Sequence, residues 1–250
     1  MISNILLYDK SVEIYFDDIK HKYTLAEGNK EITSVTKALG IINKPALVNW
    51  ASNMAVDSAA SQIEPGKSYD EIQLDTIFKA ARAAHYNKKT DAGTVGTFVH
   101  RFVEQTIKGE NPPLPVNEQL RISCERFLKW VKDNNVKFLL SEQMVYSKLL
   151  NYVGTLDFVC KMDGKLYLGD LKTSSGIWDE YKLQVAAYRY ARSEEFTNEK
   201  YDGQLIIRIG KDGDFEVKTF EGDEIYHTLF NGFVNALELY RSMEEIKQIK

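Results

Sequence analysis

Apolar and polar residues alternate weakly over 12–25 (VEIYFDDIKHKYTL), the period-two rhythm of a β-hairpin. The spacing then turns helical. Thr33 or Ser34 can cap a helix that starts near Val35 and ends at Gly40. Residues 45–62 form an Ala-rich helix opened by Pro45, whose fixed φ suits the first helical position. A further helix over 70–90 ends in Asn87-Lys88-Lys89, read as a solvated helix end. A Gly-containing turn, AGTVGT at 92–97, leads into a helix over 97–108 closed by Gly109. Residues 117–134 are clearly amphipathic. Period two then returns, with strands at 138–147, 152–162 and 165–173, a helix at 179–194, strands at 203–210 and 214–220, and a last helix at 223–245.

This order predicts an α/β or α+β core with a helical N-terminal portion. The expected layout is one integrated unit over 1–250. Residues 1–92 supply the hairpin and a helical cap, residues 93–250 the core, and the one plausible boundary falls near 90–95.

Composition changes this picture little. With 44% hydrophobic and 27% charged residues the chain is ordinary for a globular domain. A net charge of −4 argues against a broad basic coat for nucleic acid, yet leaves room for a locally basic cleft. Cys124 and Cys160 cannot make a four-cysteine zinc or iron–sulfur site and are read as reduced, buried thiols. The N-terminus lacks a signal-peptide pattern, and no apolar run reaches the ~18 residues of a membrane span. The expected location is the cytoplasm, or a host cytoplasm for a phage protein, with no membrane partner.

The chemistry concentrates in 153–174 (VGTLDFVCKMDGKLYLGDLKTS). Asp163-Gly164 is a strong two-residue hairpin signal of type I′. Such a turn sets Met162 opposite Lys165, and continuing the count sets Asp157 opposite Asp170. Alternation places Asp157, Asp170 and Lys172 on one face, beside the apolar Leu166 and Leu168. Opposed like charges destabilise a sheet, and a hard divalent cation such as Mg²⁺ or Mn²⁺ relieves them. Lys172 adds positive charge for a phosphate or an attacking water. A β-bulge in either strand would break this register.

Asp157 followed by Asp170-Leu171-Lys172 resembles the D…(D/E)xK signature of PD-(D/E)XK nucleases. The flanking GTLDFV and LGDLKTS look like the RecB-type nuclease domain and related phage and mitochondrial exonucleases. Gly96-Thr97-x-x-His100 resembles the upstream GTxxH element of that branch, and Gln184-x-x-x-Tyr188 resembles its QxxxY helix element. The likeness spans 93–192 and reaches more loosely over 32–60, where ITSVTKAL and NKPALVNWA look like the N-terminal segment of phage-type members. It implies a restriction-endonuclease-like core, a mixed central sheet flanked by helices. It also implies a Mg²⁺- or Mn²⁺-dependent deoxyribonuclease, most simply an exonuclease acting on DNA ends or single strands in replication, recombination or repair. Recombination or replication proteins are the partners such an enzyme would meet. His100, Asp157, Asp170 and the Leu171 carbonyl would hold one or two metal ions, and Lys172 would orient the water. The chain departs from relatives that carry a cysteine quartet, which excludes an iron–sulfur cluster, and it has no Walker A sequence for a helicase motor.

Other residues carry weaker signals. Glu104, four residues after His100 on one helix face, is a candidate second ligand or orienter of the imidazole. Glu142, on the strand before the hairpin, could reach the metal through water. Gln184 and Tyr188 are candidates for contacting DNA, the ring by stacking on a base. Ser34 could touch a phosphate or simply cap its helix, and Trp178 is the best stacking candidate of the three tryptophans. Two rival classes stand beside the nuclease: an inactive nucleic-acid-binding module of the same fold, and a metal-dependent hydrolase of another substrate.

Overall fold

In the computed structural model, which describes residues 2–249, three strands carry apolar residues buried on both faces and so mark the centre of a sheet. They are part of nine strands: β1 (Ile2–Leu7), β2 (Val12–Asp17), β3 (Lys22–Leu25), β4 (Lys30–Ser34), β5 (Lys137–Ser147), β6 (Tyr152–Met162), β7 (Lys165–Lys172), β8 (Gly203–Ile209) and β9 (Phe215–Glu221). The helices are α1 (Val35–Leu39), α2 (Pro45–Ala60), α3 (Glu71–Ile107), α4 (Glu118–Asp133), α5 (Asp179–Glu195) and α6 (Asp223–Ile246). The central strands are β6, β7 and β8. The sheet runs β1-β2-β3-β4-β6-β7-β8-β9, with β5 also on β6. β4–β6 and β7–β8 are parallel and the other pairs antiparallel. The expected mixed sheet flanked by helices is therefore present.

The chain forms two compact units. One runs up to Ile42 and resumes at Val99; the other is 43–98, made of α2 and the first part of α3. In the larger unit, α5 lays Val185, Ala187, Tyr188 and Ala191 on Leu168 and Ile206, with α1 and α6 completing that core. On α4, Leu120, Ser123, Cys124 and Phe127 recur at helical spacing and are buried. Phe127 meets Phe138 and Phe215. The N-terminal strands form a smaller core, in which Ile14 and Ile32 pack with Met144, Tyr146 and Val153.

Two differences from expectation have physical reasons. The turn expected at 92–97 is helix, because two glycines weaken a helix without forbidding it. The side chains of 46 and 87–92 lie outside the described residues, and with them the expected solvated end at Lys88-Lys89. β1 and β4 flank the expected hairpin as additional strands; β4 is short and polar, so its alternation carries little signal. Among the described residues no helix is long and apolar enough to cross a membrane.

Candidate metal centre

The hairpin sets the geometry. Asp163 and Gly164 both have positive φ, 52° and 80°, as a type I′ turn requires. Pairing follows the expected register from Met162↔Lys165 to Phe158↔Gly169 and stops there, one pair short of Asp157 and Asp170. Beyond that point β7 stays with β8 and β6 stays with β5, so the two strands fork. Gly169 makes the last pair possible: a Cβ there would lie 2.1 Å from the Phe158 ring. At the fork, the Leu171 amide donates to Asp157 Oδ2 at 2.6 Å, a side-chain bond where the ladder has ended.

A bulge on the neighbouring strand decides what faces Asp157. The β5–β6 register shifts between Phe138 and Leu140, so one residue is extra. Ser141↔Phe158 and Gln143↔Leu156 then bracket Glu142 against Asp157. Without the extra residue, Ser141 would hold that place. Glu142 also has φ 48°, a left-handed backbone costly for a residue with a Cβ and no short polar side chain.

His100 arrives from α3. Its Nδ1 stands 3.7 Å from Glu142 Oε1 and 3.7 Å from Asp157 Oδ1. Those distances are too long for hydrogen bonds. They suit a shared ion, since two donors ~2.0–2.2 Å from one metal lie at most about 4.4 Å apart. One donor atom from each of His100, Glu142 and Asp157 lies within 4.8 Å of the others.

Asp170 stands beside this trio. Its Oδ1 accepts from Gln184 Nε2 at 2.9 Å. Its buried Oδ2 pairs with the Lys172 ammonium but accepts no hydrogen bond of acceptable direction. Gln184 is held in turn by Tyr188, whose hydroxyl accepts from the same Nε2 at 2.9 Å. The Tyr188 ring lies over Gly154, where a Cβ would sit 2.4 Å from the ring. Lys172 Nζ also lies 4.8 Å above the Tyr181 ring.

The electrostatics match the crowding. Burial, and then the Asp170 charge, push the Asp157 carboxyl up to about 7, against the pull of His100 and Lys172. Burial opposes protonation of His100, but its acidic neighbours, Glu142 first, outweigh it and raise the imidazole. Burial likewise opposes the Lys172 charge, and Asp170 and Asp157 overcome it.

The expected residues therefore divide. His100, Asp157, Asp170 and Lys172 converge. The ligand trio takes Glu142 where Asp170 was expected, and Leu171 enters through its amide. Glu104 is turned to Lys108, an ion pair one helical turn on, and is not in the trio. Gln184 and Tyr188 are buried, 8% and 3% exposed, so they lie beneath the acids and offer no surface for base stacking. Ser34 caps α1, its Oγ accepting from the Lys37 amide at 3.2 Å. Trp178 is 45% exposed at the start of α5. The bulge that brings in Glu142 has no sequence signature; an acidic residue on a strand next to the hairpin was the one hint.

The donor set fits a divalent cation. It mixes an imidazole with carboxylates, as Mn²⁺ accepts readily. The buried Asp170 carboxylate, paired with Lys172, adds a further negative charge beside it. No protein-family model matches the chain, and no curated protein matches it.

Proposed function

We propose that the chain is a Mg²⁺- or Mn²⁺-dependent nuclease that hydrolyses phosphodiester bonds in DNA, of the RecB-like kind its motifs resemble. One observation carries this reading: His100, Glu142 and Asp157 meet at ligand distance next to the buried Asp170–Lys172 pair. A bound divalent ion neutralises charge on the phosphate and acidifies its water. The rest falls to the chain's own residues. His100, Glu142 and Asp157 would hold the ion. Asp170 fixes the Lys172 ammonium where a phosphate oxygen or an attacking water would stand. Gln184 and Tyr188 hold Asp170 from below, which keeps the carboxylate from turning away. A metal-dependent hydrolase of another substrate needs the same ion. What favours polynucleotide is the motif order and a cation set beside the ligands to meet a phosphate.

The test is digestion of end-labelled DNA, single- and double-stranded, linear and circular, with Mg²⁺ or Mn²⁺. Wild type cuts. Lys172→Ala loses at least about a hundredfold, as removal of one charge-stabilising donor does elsewhere. Undiminished cutting by Lys172→Ala removes the proposed chemistry, and no cutting by the wild type removes the reading.

A further inference from the structure

A groove of about 440 Å³ lies between the N-terminal strands and β5 and meets the metal centre at Glu142 alone. Glu142 lines it. Ile5 and Leu6 of β1, Phe16 of β2, Met144 of β5 and Thr155 of β6 make most of its wall. Among the described residues the lining holds no lysine or arginine, and Glu142 is its one charge. A phosphate therefore has no partner inside the groove; its partners would be Lys172 and a cation held by the trio to which Glu142 belongs.

The wall instead suits a flat, uncharged ring. Phe16 is half-buried and stacks on Tyr23 with centroids 4.5 Å apart and planes 24° apart, a two-ring ledge with some face left open. Ser3, the β1 partner of Phe16, is exposed on the same face. The volume lies within the ~300–1,000 Å³ of small-molecule pockets, room for a nucleoside-sized group. In a duplex both faces of a base are covered by its neighbours, so only an unpaired or extruded base can enter.

We propose that this groove is a nucleobase subsite: it seats an unpaired base of the strand whose phosphate lies at His100, Glu142 and Asp157. The proposal rests on the nuclease reading for its phosphate and goes beyond it by placing the base. The occupant follows from continuity with the ligand Glu142 and from the groove's lack of cations. An extended peptide lying along the outer edge of β5 is the competing occupant.

The experiment is equilibrium binding of a fluorescent oligothymidylate to the full chain in Ca²⁺, against the same strand with abasic sugars in place of its terminal nucleotides. Both strands carry equal phosphate charge, so their difference isolates the base. Wild type prefers the intact strand by about tenfold or more, the scale of losing a stacked base. Phe16→Ala reduces that preference. Ser3→Glu changes an exposed groove-lining position on an edge strand, directly opposite Phe16, endangers folding least, and abolishes the preference by putting a carboxylate in the groove. Equal affinity of wild type for the two strands overturns the proposal, as does an unchanged preference in a folded Ser3→Glu. Binding is read without turnover, so absent cleavage would sink the nuclease reading and leave this measurement intact.

Discussion

At the scale of single residues the centre is an unfavourable collection of charges, and Asp157 shows it most clearly. Its carboxyl is raised from 3.8 to about 7 by burial and by Asp170. The proton is thus held more tightly folded than unfolded. The sign follows: ionising Asp157 costs folding stability, beginning near the unfolded value, about pH 4, and reaching its full size above about pH 7. The raised His100 acts in the same direction, since its contribution is present below its unfolded value and is lost as pH rises through the folded one. Metal-free protein should therefore lose stability steadily between about pH 4 and pH 8. Asp157→Asn should flatten that profile. Its amide oxygen can still accept from the Leu171 N–H. At pH 8 it should unfold about 1–3 kcal/mol later than wild type in EDTA, and at pH 4 the two should agree. Urea titrations at both pH values measure this. Equal stability at pH 8 would show that the acids are relaxed without an ion.

At the scale of elements, the β5 bulge and the fork between β6 and β7 build the site together. The fork was half legible. Asp163-Gly164 dictates the hairpin, and counting back from it places Asp157 near Asp170. The point where the ladder stops is set by which strand each partner keeps on its far side, and that is tertiary information. The bulge was not legible at all, since no turn residue marks the extra position in KFLLSEQMVYS. Helix spans from α4 onward follow hydrophobic period closely, because α4 and α6 each bury one face. Gln184 and Tyr188 show the opposite failure: spacing shows that they share a face, and only packing shows that the face points inward to Asp170 and Gly154. Glu142 turns this into a prediction. Its left-handed backbone costs stability and its carboxylate faces Asp157. Glu142→Gly should raise metal-free stability by about 1 kcal/mol by accepting the positive φ. The same change should weaken Mn²⁺ binding about tenfold or more through loss of one ligand. Chemical denaturation in EDTA and a Mn²⁺ titration read the two effects separately. A destabilised variant with unchanged affinity would reduce Glu142 to a structural strand residue.

At the scale of the whole molecule, metal and folding are linked. The chain carries a net charge of −4, and the centre gathers Glu142, Asp157 and Asp170 into one small volume of it. An ion that binds only the folded arrangement stabilises it by RT ln(1 + [L]/Kd), about 2.7 kcal/mol at a hundredfold excess over Kd. For a chain of this size that corresponds to roughly 5–10 °C in melting temperature. The gain should also have an address. His100, Glu142 and Asp157 all belong to the unit that ends at Ile42 and resumes at Val99. Adding Mn²⁺ should then slow hydrogen exchange along β5, β6, β7 and the end of α3 around His100, and leave α2 unchanged. The double variant His100→Ala, Asp157→Asn should show neither the thermal shift nor the protection. Protection spread evenly over both units, or a thermal shift that survives the double variant, would mean that the ion acts on surface carboxylates at large. Protection confined to the forked strands would tie the charge crowded there to one bound cation.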